Sequence, residues 1–142
     1  MKERCKMKIL FVCKNNRFRS RVAESYFNSV NENKKVFADS AGIIVGAPLT
    51  KYQSNVARKA GLRIDGRPRG LSSKLILSRD LIVIVADNVP SSIFKDRSYS
   101  VNVVKWGIKD VYVKDEKKIL KTIEEIKSKV RSLVKKLEKK ER

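Results

Sequence analysis

Two strand-length apolar runs constrain this chain more than anything else in it. "KMKILFVC", about Met7 to Cys13, and "RDLIVIVADN", about Leu81 to Ala86, stay apolar instead of alternating with polar side chains. A strand with one wet face alternates. A strand that does not must be covered on both faces, as in a parallel sheet sandwiched by helices. The intervening segments have the period such covers need. Val22, Ala23, Tyr26, Phe27 and Val30 fall at helical spacing over about Arg19 to Asn31. "KVFADSAG" reads as a second strand ending near Asp39, and "APLTKYQSNVARKAGL" as a helix. There Thr50 and Gln53 form a capping box, and Gly61 supplies the stop.

After the "RIDGRPRG" loop come a short helix near Ser73–Ser78, the Leu81–Ala86 strand and a helical turn around Ser91–Phe94. A fourth strand follows in "SVNVVKW", and a long charged helix runs from Asp115 to Arg142. Strands alternating with helices from end to end, with no repeat and no linker, make this a single α/β domain over residues 1–142 with a parallel sheet. The last helix carries Ile119, Ile123, Ile126, Val130, Leu133 and Leu137 in steps of three and four. That stripe suits a coiled coil, but a sheet that needs its faces covered favours packing within the chain.

Lys+Arg number 34 against 15 Asp+Glu, a net charge of +19 that draws anions. A nucleic-acid role fits that field, but no nucleic-acid motif is present and aromatic side chains for stacking are few. There is no histidine, which excludes Ser-His and Cys-His pairs and His-ligated metals. Two cysteines cannot make a disulfide framework or a Cys₄ zinc site. No metal and no cofactor are expected. No apolar run is long enough for a bilayer, and "MKERCKMK" lacks the apolar core of a signal peptide. The expectation is a cytoplasmic protein with reduced thiols and no membrane partner. Nothing in the sequence sets an oligomeric state.

The chemistry concentrates in "FVCKNNRFRSRVAESYF". Ligands of open parallel sheets bind beyond the carboxyl ends of the strands, and Cys13 ends the first strand. The residues after it lead into a helix N-terminus, where unpaired backbone N–H groups and the helix dipole attract an anion. The same groups, with a nearby guanidinium, favour a thiolate without any histidine. Arg19, six residues on, is placed to hold two phosphoryl oxygens as a fork. Ser20 would hydrogen-bond the sulfur. Together these indicate covalent phosphoryl transfer, with Cys13 as nucleophile and amides plus arginine as the charge clamp.

"VCKNNRFRS" resembles the Cys-x5-Arg-Ser loop of the low-molecular-weight protein tyrosine phosphatases, and the likeness runs over nearly the whole chain. "DSAG" at Asp39–Gly42 is similar to that family's Ser-Ala-Gly segment, "VADN" near Asp87 to the end of its third strand, and "IKDVY" to its Asp-Pro-Tyr acid loop. The resemblance implies a three-layer fold around a four-stranded parallel sheet of order 2-1-3-4, with the phosphate-binding loop after strand 1. It implies Cys13 as nucleophile, Arg19 as clamp and Asp110 as the acid that protonates a leaving phenol and then activates water. Lys14, Asn15, Asn16, Arg17 and Phe18 would cradle the phosphate. Asn16 would hold the loop's shape, Ser40 would brace it from the second strand, and Tyr112 would flank the pocket mouth. A phosphorylated protein or peptide is the implied partner.

Several positions depart from the family pattern. Val111 follows the acid in place of proline, and Phe18 stands where many relatives have a second cysteine. Asn15 replaces a frequent glycine, and Lys14, Arg17 and Arg21 give a basic rim that suits acidic sequence around the phosphate. Asp115 rivals Asp110 as the acid but is also placed to cap the final helix. Cys5 lies about 26 Å up an extended strand from Cys13, far beyond disulfide range. Two other functions remain open. One is a single-cysteine arsenate reductase using an external thiol, since no cysteine follows Cys13. The other is a non-catalytic module that binds anions or nucleic acid.

Overall fold

A computed structural model describes residues 7–46, 48–64, 67–95, 99, 101–111 and 114–140. Its sheet is β1 (Met7–Cys13), β2 (Val36–Gly42), β3 (Leu81–Ala86) and β4 (Asn102–Ile108). All neighbours are parallel and the order is β2-β1-β3-β4, as the sequence implies. The helices are α1 (Arg19–Val30), α2 (Lys51–Lys59), α3 (Ser73–Leu77) and α4 (Glu116–Lys140), with a 3-10 turn at Ser91–Phe94.

The uninterrupted apolar runs are explained by their two destinations. On β1, Ile9 and Phe11 enter one core and Leu10 and Val12 the other; on β3, Val83 and Val85 part from Ile82 and Ile84 in the same way. The first core lies under α1 and α4, where Phe11 meets Phe27 and Trp106 at ring separations of 5.9 and 5.7 Å. The second holds Ile76 of α3 and Phe94 of the 3-10 turn. Ile119, Ile123, Ile126 and Val130 of α4 are buried in the first core, and Leu133 and Leu137 pack against it. The stripe therefore closes this chain's own sheet. Each of the four buried side chains contributes about 1.5–3 kcal/mol by leaving water.

Local signals in the sequence act where they stand. Thr50 Oγ1 accepts from the Gln53 N–H at 3.1 Å, and Gly61, at φ 82°, ends α2 as the Leu62 N–H returns to Ala57 O at 2.9 Å. Asp115 caps α4 through the Lys118 N–H at 3.2 Å. Several boundaries differ from expectation, among them the end of β4, which runs on past Trp106 to Ile108. α4 begins one residue after Asp115, and β2 continues past Asp39 to Gly42. β2 can do so because the buried Asp39 carboxylate is neutralised by both Arg79 and Arg69. In β4 the register slips against β3 between Ile84 and Ala86, a bulge at which Gly107 takes φ 69°. Beyond it the Ile108 carbonyl accepts from the Asp87 N–H. Among the described residues no helix is long and apolar enough to cross a membrane.

Candidate active site

The chain turns through Lys14 to Phe18 between the end of β1 and the start of α1. α1 opens with no side-chain cap and no acidic residue in its first turn. Among the described residues the backbone N–H groups of Asn15, Asn16, Arg17 and Phe18 have no protein acceptor. Asn16, at φ 51°, supplies the left-handed step that lets successive amides converge on one point. Free amides, an uncapped helix dipole and a thiol at 2 % exposure thus share one end of the sheet.

Arg19 stands at the first helical position, its side chain 3 % exposed. Nη1 donates to Ile108 O at 2.9 Å and to Asp87 Oδ1 at 3.2 Å, and Nη2 donates to Asn88 Oδ1 at 3.1 Å. A guanidinium has five N–H hydrogens. These bonds leave Nε–H and one Nη2–H, the two that lie parallel on one edge and match two oxygens of a phosphoryl group. Asp110 Oδ2 is 3.8 Å from Nη2, while its Oδ1 accepts from the Val111 N–H at 2.9 Å. The backbone that follows Asp110 thus holds its carboxylate even without the family's proline.

Behind the sulfur lies a polar chain. Cys13 Sγ is 3.0 Å from Ser20 Oγ. Asn16 Nδ2 donates to both Ser20 Oγ and Ser40 Oγ at 2.9 Å, and Asn16 Oδ1 accepts from the Arg69 N–H at 2.8 Å. Ser40 Oγ in turn donates to Glu24 Oε1.

The residues singled out in the sequence divide between two sides of the loop. Cys13, Asn15, Arg17, Phe18, Arg19 and Asp110 line one depression. The Phe18 ring points the other way, into the first core, so only the rest of the residue can face a ligand. Lys14 is exposed outside that lining. Asn16 and Ser40 line a separate hollow behind the loop, with Glu24, Arg67 and Arg69. Arg21 belongs there too: it is 6 % exposed and does not contribute to the rim. Helix geometry explains this correction, because two residues along α1 carry a side chain well around the axis from Arg19. Tyr112 and Cys5 lie outside the described residues.

A family model for low molecular weight phosphotyrosine protein phosphatase matches residues 8–142. The chain belongs to that family. The phosphatase resembles the low molecular weight protein tyrosine phosphatase of T. tengcongensis, at 26% identity and TM-score 0.81 over 92% of this chain and 99% of that one. It also resembles an arsenate reductase of Archaeoglobus fulgidus, at 27% identity and TM-score 0.70 over 89% and 98% of the two chains. The YwlE arginine phosphatase of Geobacillus stearothermophilus has the same fold, at 18% identity and TM-score 0.79 over 94% of each chain. A comparison with curated proteins finds no match. As a phosphatase of this family the protein acts on phosphorylated substrates.

Sequence reasoning did not find Glu24, Arg69, Asp87 or Asn88 as parts of the site. "VADN" was legible as a strand end, but nothing local shows that its two polar side chains reach Arg19. Gly42 was quoted only within "DSAG", yet the phosphatase leaves it no room for a side chain. An added Cβ would stand 2.5 Å from Asn16 N, 2.6 Å from Asn15 C and 2.8 Å from Ile44 O. All three are backbone atoms, so relief requires the loop itself to move. Gly42→Ala is expected to lose about 1–3 kcal/mol of stability, read by urea unfolding, and to lower phosphatase activity through the displaced loop.

Proposed function

We propose that the protein removes phosphate from phosphotyrosine in proteins through a cysteinyl-phosphate intermediate. What carries this reading is the convergence of Cys13, Arg19 and Asp110 on one depression floored by unpaired amides. Cys13 Sγ, as thiolate, attacks phosphorus while the P–O bond to the phenol breaks and Asp110 passes its proton to the leaving oxygen. Asp110, now ionised, takes a proton from water as the water oxygen attacks phosphorus. The P–S bond breaks, inorganic phosphate forms and the thiolate returns. The loop amides and the free edge of Arg19 hold the three non-bridging oxygens through both steps.

Asp110→Asn tests the acid role through leaving groups. Phenyl phosphate needs a proton on its phenolate, so kcat is expected to fall about 10²–10³-fold. Para-nitrophenyl phosphate releases a stable phenolate and should lose far less in its first step. Equal losses on the two substrates, or none, would remove Asp110 from that role.

The arsenate reductase likeness supports one second reading, reduction of arsenate with an external thiol. It predicts arsenate turnover that depends on added thiol, whereas the phosphatase reading predicts ester hydrolysis with no reductant. Peptides carrying phosphotyrosine or phosphoarginine, assayed side by side, decide the protein substrate.

A further inference from the structure

We propose that the outer edge of β4 is a docking site for the protein substrate, which pairs an extended, acidic stretch of its backbone with Val103 and Lys105 beside the active site. The inference rests on the reading of the protein as a protein phosphatase for the identity of the occupant; the edge itself is a fact of the fold.

The sheet has two edges and treats them differently. Along a strand, successive residues turn their backbone groups to opposite sides. On β2 the Lys35 carbonyl accepts from the Met7 N–H of β1 at 3.1 Å, so the groups of Val36, Ala38, Ser40 and Gly42 face outward. All four outward carbonyls are taken. Asn31 Nδ2 donates to Val36 O at 3.1 Å, Asn28 Nδ2 to Ala38 O at 3.2 Å, the Arg69 guanidinium to Ser40 O, and the Leu71 N–H to Gly42 O at 2.7 Å. On β4 the Asn102 N–H donates to Asp80 O at 3.4 Å, so Val103 and Lys105 face outward. Among the described residues nothing bonds the outer N–H or C=O of either. Lys105 is exposed, and Val104 between them is 46 % exposed. The register slip against Ile84 and Ala86 ends the regular ladder beyond Lys105. Two residues thus offer two donors and two acceptors, the pattern that a strand added to a sheet edge reads.

Charge and position choose the occupant. A bare edge also invites a second copy of the chain. Each copy carries +19, and Lys105 lies on the edge itself, so copies repel. The same lysine, with the exposed Lys109 beyond it, attracts an acidic peptide. β4 runs straight on into Lys109 and Asp110, so a chain paired to it ends beside the depression that holds Cys13. Three strand spacings separate β1 from a strand added outside β4, about 14 Å, or about four extended residues. Antiparallel pairing is the more stable sense. It sends the peptide from the C-terminal end of β4 back towards its start, so the docking segment begins about four residues after the phosphotyrosine.

The test uses a phosphotyrosyl peptide with a segment of valine, threonine and glutamate after the phosphotyrosine, and the same peptide with every amide of that segment N-methylated. Charge and length are equal, and only the second lacks backbone donors. The wild type is expected to show a KM about tenfold lower for the first, with kcat within about twofold. Lys105→Pro removes an outward N–H that the β3–β4 ladder does not use, and an edge strand tolerates proline there. It should erase the difference between the peptides. Lys105→Ala keeps the N–H and should keep most of that difference. Equal KM values in the wild type, a difference that survives Lys105→Pro, or one that Lys105→Ala abolishes would overturn the proposal. Should Lys105→Pro fail to fold, Val103→Pro takes its place.

Hydrogen exchange adds a readout that needs neither turnover nor a variant. The Val103 and Lys105 amides should exchange fast in the free protein, and at least about tenfold more slowly with the phosphonate analogue of the first peptide bound. No protection at saturating peptide would overturn the proposal. So would protection already present without peptide and rising with protein concentration, which would give the edge to a second copy. If the peptide protects both amides but the wild type hydrolyses no phosphate ester, the phosphatase reading fails and the docking edge stands.

Discussion

Cys13→Ser is expected to reduce hydrolysis of para-nitrophenyl phosphate by at least about 10⁴-fold, with unfolding by urea nearly unchanged. Serine matches cysteine in shape and can still sit 3 Å or so from Ser20, so the loop has no reason to rearrange. What changes is ionisation. A thiol is intrinsically far more acidic than an alcohol, whereas a serine hydroxyl has no base to take its proton in a chain without histidine. Asp110 is no substitute, because the mechanism requires it protonated at the step in which the nucleophile attacks. Residual turnover near the wild-type rate would mean that water, activated elsewhere, attacks the phosphate directly.

Arg19→Lys should cost about 10³-fold in kcat/KM, about 4 kcal/mol of transition-state stabilisation, although the charge is kept. The reason is donor arithmetic. Three of the five arginine hydrogens hold Ile108 O, Asp87 and Asn88, and two remain for phosphate. An ammonium has three donors on one atom and cannot serve both sets. It must leave either the phosphate or buried acceptors unpaired, so stability falls as well, and Arg19→Ala should be less stable still. Steady-state kinetics with thermal unfolding checks both parts; an Arg19→Lys enzyme within about tenfold of wild type would show that the edge of Arg19 is not the phosphate clamp.

The extent to which the sequence was legible follows from the range of each interaction. Elements set by local pattern were readable: the β1 and β3 runs, the α4 stripe, the Thr50 cap and the Gly61 stop. Asp115 was rightly given a capping alternative, because N-cap chemistry spans only three residues. The end of β2 was misread because polar Asp39 and Ser40 look like a strand leaving the core. Their burial depends on Arg69 and Arg79, 30 and 40 residues away from Asp39.

The site shows the same division. Cys13, Arg19 and Ser20 sit within one loop-to-helix motif, so their closeness to one another was legible locally. The acceptors that aim Arg19 come from Asp87, Asn88 and Ile108, 68 to 89 residues on, and only the fold brings them there. Arg21 was placed on the wrong side of the loop because charge was counted without the turn of the helix.

The most direct test of a covalent phosphoryl-enzyme is to look for it. Wild-type protein turning over para-nitrophenyl phosphate is quenched rapidly in alkaline denaturant, where a phosphothioester survives, and its peptides are weighed. The account predicts one added phosphoryl group on the peptide that carries Cys13, appearing with substrate and disappearing when substrate is exhausted. Sustained hydrolysis with no phosphoryl group on Cys13 at any quench time would contradict it.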